Sequence, residues 1–119
     1  MYIFGGAGSN ATNDVWSSVN GSDWTLVTPS ASWSSRYGHQ TVIFENKIIL
    51  FGGNQEPNII MGNDLWISSF GENWEENTLI NSFTGRYDFS SVLFNNKIYI
   101  FAGICEGWIR TNDIWVSYY

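Results

Sequence analysis

Short apolar segments of strand length alternate with polar turns along the chain, a pattern that predicts β-strands and no helix. Residues 41–44 and 47–51 are rich in β-branched and aromatic side chains, and only Glu45-Asn46 separates them. Because asparagine tolerates the positive φ of a two-residue turn, these segments are predicted to form a buried hairpin. Residues 91–101 repeat the same design.

Two further strands follow each hairpin in the predicted unit. A glycine pair and a loop of variable length lead to a strand of alternating apolar and polar residues, as expected for a half-buried strand. Its three occurrences are 14–18, 64–68 and 113–117. A tight turn then leads to a fourth strand that opens on Trp24 or Trp74. The predicted unit is therefore a four-stranded antiparallel meander.

This unit occurs nearly three times, at a spacing of about fifty residues. Such a period indicates one supersecondary unit copied along the chain, and each copy is too small to bury its apolar face alone. We expect one repeat region, 1–119, with a partial unit over 1–28, a complete unit over 36–78 and a partial unit over 86–119. The recurrent residues to which we assign structural roles are Gly5, Gly6, Gly52, Gly53, Gly103, Trp16, Trp66, Trp115, Trp24 and Trp74.

Composition excludes several classes of protein. With 119 residues, 44% hydrophobic and 18% aromatic, the chain is apolar enough to fold, and disorder is not expected. A net charge of −6 with five basic residues argues against a nucleic-acid partner, which requires clustered Lys and Arg. No apolar run reaches the roughly eighteen residues of a membrane span, and the first residues lack the flanks of a signal peptide. The single cysteine, Cys105, leaves the localisation open.

The recurrent motifs resemble the kelch repeat. The segment 36–39 (Arg-Tyr-Gly-His), the glycine-ended segment 49–53, an apolar-Trp strand and a tryptophan after a glycine turn recur in register over essentially the whole chain. The resemblance implies that each copy is one blade of a β-propeller, with the first strand lining a central channel and the fourth at the rim. Ala102 replaces one glycine, and Asp88-Phe89 replace Gly-His, so the tightness of these two turns is open.

The number of strands is too small for a closed propeller. Ten predicted strands make about two and a half blades, whereas closed propellers use about four to eight blades of four strands. Joining copies head to tail is not expected to repair the count, because strands two to four of one chain would meet strands one to three of the next and give six strands at each junction. We therefore expect an incomplete propeller, part of a longer parent chain that supplies the remaining blades. Its apolar end faces predict concentration-dependent association of the isolated chain.

Recurrent polar residues are interpreted as structural first. Asp14, Asp64 and Asp113 occupy one slot of the repeat, where a carboxylate can accept backbone N–H bonds at a strand entry. Metal binding is disfavoured, because no cluster of oxygen ligands accompanies them. Arg36 and Arg86 are expected to bridge adjacent blades through their five fixed donors. The resemblance adds an alternative, since arginines near this position face a ligand in some kelch proteins.

Non-recurrent residues are the better candidates for function, because repeat proteins build binding faces from variable loops on a fixed scaffold. The variable loops are 7–12, 54–62 and 104–111, and the resemblance to the kelch repeat implies that the connections 29–35 and 81–85 lie on the same side. Trp33 has an alternative role shared with Phe83, that of capping a blade edge. The candidate binding residues are Trp108, Arg110, Glu56, Ile60, Trp33, Arg36 and Arg86.

Our leading hypothesis is a kelch-propeller fragment that binds a protein or glycan partner through its loops. The alternative is a fragment of a kelch-propeller enzyme acting on sugars, of the oxidase or epimerase type, and a third hypothesis is a purely structural role. No catalytic residue, metal site or cofactor is predicted, because His39 is expected to be a packed ring and Cys105 lacks a recurring Cys/His pattern. An enzymatic role is left open and disfavoured.

Overall fold

The computed structural model describes residues 1–78 and 83–117. The strands of this part form antiparallel sheets. Residues 79–82, which include the start of the connection 81–85, and residues 118–119, at the end of the third predicted unit, lie outside the described part. The described strands are β1 (Tyr2–Ala7), β2 (Ala11–Ser17), β3 (Thr25–Thr28), β4 (Arg36–Tyr37), β5 (Gln40–Phe44), β6 (Lys47–Phe51), β7 (Asn54–Gln55), β8 (Ile60–Met61), β9 (Leu65–Ser68), β10 (Glu75–Glu76), β11 (Arg86–Tyr87), β12 (Ser90–Phe94), β13 (Lys97–Cys105) and β14 (Ile109–Val116). The predicted all-β class is confirmed, and no described helix combines the length and apolarity needed to cross a bilayer.

Each sheet is centred on one repeat. β1 to β3 form the body of the first sheet, and β12 to β14 form the body of the third. The second sheet has the order β5-β6-β9-β10, which is the predicted four-stranded meander. The first strands β5 and β12 lie side by side, and Ser91 Oγ donates to Gln40 Oε1 at 3.1 Å. Neighbouring sheets therefore converge along their first strands, as blades of a propeller do.

The two predicted hairpins form as expected. β5 pairs with β6 from Gln40 opposite Phe51 to Phe44 opposite Lys47, and β12 pairs with β13 in the same register. Both residues of each link have positive φ, 47° and 60° at Glu45-Asn46 and 48° and 58° at Asn95-Asn96. This geometry matches the twist of the flanking strands, which explains why a two-residue link suffices.

The variable loops are largely paired strands rather than irregular loops. Between the second and third strands of each repeat, the chain forms a paired extension, which we call an arm. The three arms are residues 6–12, 54–61 and 103–111. The strand register shifts at the glycines, between Phe4 and Gly6 in the first sheet and between Phe101 and Gly103 in the third. A bulge at a residue with positive φ bends a strand without ending its pairing, so in the first and third sheets the glycines redirect the chain where an interruption was expected. In the second sheet β6 does end at Phe51, and the short strands β7 and β8 form the arm.

Short strands of Arg-Tyr join the arms to one another. β4 pairs with β2 at Thr12 and with β7 along its length. β11 pairs with β13, while the Arg86 N–H donates to the Gly62 carbonyl at 3.0 Å. All three arms therefore lie at one end of the sheets.

Ten of the fourteen described strands correspond to predicted strands. The other four, β4, β7, β8 and β11, have two residues each.

Two rows of apolar side chains cross the second and third strands of each sheet, one row on each face. The phenylalanine rows are Phe4–Val15, Phe51–Leu65 and Phe101–Ile114, and the tryptophan rows are Ile3–Trp16, Leu50–Trp66 and Ile100–Trp115. The first phenylalanine row packs in one cluster with the second tryptophan row, and the second phenylalanine row packs in another cluster with the third tryptophan row. The core is therefore two layers between three sheets.

The two departures from the repeat pattern keep the backbone conformation of the residues they replace. Ala102 has φ of 55° where Gly52 has 69°, and Asp88 has φ of 51° where Gly38 has 64°. Aspartate adopts this left-handed region at modest cost, whereas alanine does so with strain. The turns are therefore as tight in the third copy as in the second.

Gly52→Ala is predicted to lower the free energy of unfolding by about 2 to 5 kcal/mol. A Cβ at Gly52 would lie 2.7 Å from the ring of Phe89, which is 4% exposed and held in the core. Gly21→Ala is the matched control, because Gly21 has φ of +80° but only the flexible Met1 side chain nearby, at 3.4 Å or more. Urea titrations should show a clearly larger loss for the first variant, and equal losses would contradict the packing argument.

Candidate binding face

A fully buried arginine ties the second sheet together at the base of its arm. Arg36 donates from Nη1 and Nη2 to the two carboxylate oxygens of Asp64, at 2.8 and 2.7 Å. It also donates to the Gly52 carbonyl at 2.8 Å and to the Ser34 carbonyl at 3.1 Å. The Trp66 indole N–H donates to the same carboxylate at 2.7 Å. Since β4 itself pairs with the first sheet, this network links two sheets.

The third sheet repeats the arrangement. Arg86 donates to both oxygens of Asp113, at 2.7 and 2.8 Å, and to the Ala102 carbonyl at 2.5 Å. The Trp115 indole N–H donates to Asp113 at 2.6 Å. The aspartates were expected to accept backbone N–H groups, but their main partners are these side chains. Both guanidinium groups are fully buried, so neither Arg36 nor Arg86 presents a donor to a ligand in this structure.

The pairing controls the protonation of the aspartates. Burial alone would raise the pKa of Asp64, but hydrogen bonds and charge from Arg36 and the bond from Trp66 hold it below its ordinary value. The hydrogen bonds from Arg86 hold the pKa of Asp113 well below its usual range. Asp14 accepts from the Trp16 indole at 2.8 Å, and no arginine pairs with it among the described residues.

Trp33 and Phe83 occupy matching places in the two core layers. Trp33 is fully buried and meets Trp74 edge to face, with ring centroids 5.9 Å apart. Phe83 is 7% exposed and packs against Phe51 and Phe89. Trp33 therefore belongs to the scaffold in this structure, and we leave it out of the proposed surface.

An aromatic series runs across the arm end from the second repeat to the third. The ring of Tyr37 meets that of Tyr87 edge to face at 5.9 Å, and Tyr87 meets Trp108 in the same way at 6.1 Å. Asn54, which is 1% exposed, donates to the Tyr37 hydroxyl at 2.8 Å. Sequence reasoning missed the two tyrosines as site residues, although their recurrence after each arginine was a usable signal.

Trp108 and Arg110 lie at the exposed end of this series. Trp108 belongs to the short 3-10 turn Glu106–Trp108 at the tip of the third arm, and 58% of it is exposed. Burial and the nearby Asp88 raise the pKa of Tyr87, while the positive charge of Arg110 opposes them. Arg110 is exposed two residues after Trp108, and its charge reaches Tyr87 of the aromatic series. We call Tyr37, Tyr87, Trp108 and Arg110 the aromatic ridge.

The second arm supplies the remaining candidates. Glu56 accepts from the Ala11 N–H at 2.9 Å through Oε2, so it fastens the second arm to the first. Ile60 is 51% exposed and pairs with Gln55 in the arm hairpin. Glu56 is thus engaged in a structural contact, whereas Ile60 is available at the surface beside it.

The candidates for catalytic chemistry among the described residues are His39, Cys105 and a metal site. Burial, with the charge of Arg36, lowers the pKa of His39 to about 4, and its ring lies 6.2 Å from that of Trp33. Cys105 is buried, and no three His, Cys, Asp or Glu side chains of the described part are placed to hold a metal. An enzyme acting on sugars stays an alternative prediction.

Comparison with known proteins gives one family. The model described as the KLHDC2/KLHL20/DRC7 Kelch-repeats domain matches residues 1–118. No curated protein matches the chain. Together with the three sheets, the family match confirms the predicted fold class of kelch-type propeller blades, and no strand pairing closes the described sheets into a ring.

Arg36→Met is predicted to cost about 3 to 5 kcal/mol of the free energy of unfolding, because it leaves a poorly hydrated carboxylate unpaired. Arg86→Met should cost less, since its partner Asp113 is 38% exposed and Asp64 only 16%. Adding Asp64→Asn to Arg36→Met should recover part of the loss in urea titrations. No recovery, or a larger loss for Arg86→Met, would contradict this account.

His39 should make the fold less stable below neutral pH. Its pKa in the folded state is about 4, against 6.5 when unperturbed, so the unfolded chain binds more protons between these values. Stability is therefore lost as pH falls from 6.5 towards 4, by no more than about 3.5 kcal/mol. His39→Phe copies Phe89 of the next repeat, and urea midpoints at pH 7, 5.5 and 4.5 should vary less for this variant. Equal pH dependence of the two proteins would refute the assignment.

Proposed function

The chain belongs to the KLHDC2/KLHL20/DRC7 kelch-repeat family, and from this premise we propose that it is a binding scaffold whose arm end holds a protein or glycan partner. The observation that carries the proposal is the aromatic ridge. It leads from the half-buried Tyr37 through the buried Tyr87 to the exposed Trp108 and the exposed Arg110. Tryptophan, tyrosine and arginine are the residue types most enriched among the few side chains that dominate the binding energy of interfaces.

Preorganisation supports the same proposal. The Tyr87 ring against which Trp108 packs is 7% exposed and comes directly after the buried Arg86. The Arg86–Asp113 pair fixes that strand to the third sheet. A partner would thus meet a side chain whose support is already ordered, which reduces the entropy lost on binding.

The chemistry of the ridge narrows the partner. Aromatic faces and edges suit either the apolar face of a sugar ring or an apolar peptide side chain. The Arg110 guanidinium adds recognition of a carboxylate, which acidic peptides and sialylated or uronic glycans both carry. The two classes of partner share this chemistry, and the experiment below separates them.

Trp108→Ala is predicted to weaken binding at least tenfold, and Arg110→Ala to weaken it mainly for acidic ligands. Selection from a random-peptide display library and a printed glycan array gives the ligands, whose affinities for wild type and variants are then measured by calorimetry. Peptide hits alone or glycan hits alone identify the class of partner.

Phe70→Ala is the matched control for this experiment. Phe70 is 77% exposed and follows β9, at the end of the sheet opposite the arms, so its removal should leave affinity unchanged. Thermal melts check that each variant is folded. If folded Trp108→Ala binds every selected ligand as the wild type does, the ridge is not the binding site.

A further inference from the structure

The three sheets pack on one another in one regular way, and two of the six apolar rows are left without a packing partner. A phenylalanine row always packs against the tryptophan row of the sheet that follows in the chain. The first and second phenylalanine rows are used in this way, as are the second and third tryptophan rows. Among the described residues, the first tryptophan row (Ile3–Trp16) and the third phenylalanine row (Phe101–Ile114) have no such partner.

The two unpaired rows are the centres of exposed apolar faces. On the first sheet, Ile3 is 46% exposed and its row continues to Leu26, which is 42% exposed. On the third sheet, Ile114 is 66% exposed, and Val92 and Phe94 on the same face are 46% and 61% exposed. By contrast, Leu50 and Leu65, which match Ile3 and Ile114 in the second sheet, are 0% and 5% exposed.

We propose that these two faces bind each other between copies of the chain, with the third sheet of one copy packing on the first sheet of a second copy. The contact would repeat the internal interface, because Phe101 and Ile114 correspond to Phe51 and Leu65, and Ile3 and Trp16 correspond to Leu50 and Trp66. The chain therefore carries both halves of an interface whose geometry it already uses twice.

The expected assembly is a dimer with two such contacts. Each copy contributes three sheets, so two copies bring six, inside the range of about four to eight blades in closed propellers, whereas three copies would bring nine. Two head-to-tail contacts related by a twofold axis close the ring. The six strands expected at each junction are then the bodies of two stacked sheets, β12 to β14 of one copy and β1 to β3 of the other, and not one crowded blade.

Sedimentation of the 119-residue chain across a hundredfold concentration range tests the proposal. The wild type should reach the mass of two chains and no more. Ile114→Lys, on the third sheet, and Ile3→Lys, on the first, should each sediment as monomers, because every contact needs one intact face of each kind. Mixing the two variants should restore dimers held by one contact, and therefore formed at higher concentration than those of the wild type, since one variant carries an intact first sheet and the other an intact third sheet.

This mixing experiment separates head-to-tail contact from its competitors. If like faces paired with like, each single variant would still dimerise through its intact face, and that outcome overturns the proposal. A monomeric wild type, or growth into an open series of higher masses, overturns it as well. Val19→Lys is the control, because Val19 is fully exposed in the turn after β2, away from both rows, and this variant should remain dimeric. Circular dichroism confirms that each variant keeps its strands.

Discussion

The structure depends on a buried guanidinium that pairs with a carboxylate at the base of the second arm and, in a second copy, at the base of the third. Arg36 lies in a strand that pairs with the first sheet, yet its side chain satisfies Asp64 and the Gly52 carbonyl of the second sheet. A charge taken out of water in this way is tolerable only when all its donors are used. The spacing of the sheets, the bend at the glycines and the direction of the arms are therefore fixed by one set of hydrogen bonds, which the third sheet repeats through Arg86.

Most of the sheet structure could be predicted from the sequence, because period, turn chemistry and apolar runs are local signals. The hairpin links at 45–46 and 95–96 and the meander of the second repeat are examples. The arms were harder to predict, since a glycine pair usually marks the end of a strand and only its pairing shows that the strand continues. The burial of individual aromatic side chains was harder still to predict. Trp33 and Trp108 are the same residue type in comparable segments, yet one is fully buried and the other 58% exposed, a difference set by which sheet packs over each.

The same geometry explains which residues recur between the copies and which do not. Residues that face a neighbouring sheet recur, because each layer of the core must be filled in the same way. The arms lie outside the core layers and are held by one another and by the Arg-Tyr strands β4 and β11, so Trp108 and Arg110 have no counterpart in the other copies. His39 is an exception, a titratable ring in a place where the next copy has Phe89, and the hydrophobic surroundings keep it neutral.

Ala102 also has a consequence for whatever packs on the third sheet. At the matching position of the second sheet, the ring of Phe89 lies so close to Gly52 that no methyl group fits between them. A methyl group is already present at Ala102, in the same left-handed backbone conformation. Any sheet that follows, from the same chain or another, must therefore offer something slimmer than a benzene ring at that point. The last sheet thus selects its neighbour by shape as well as by apolar surface.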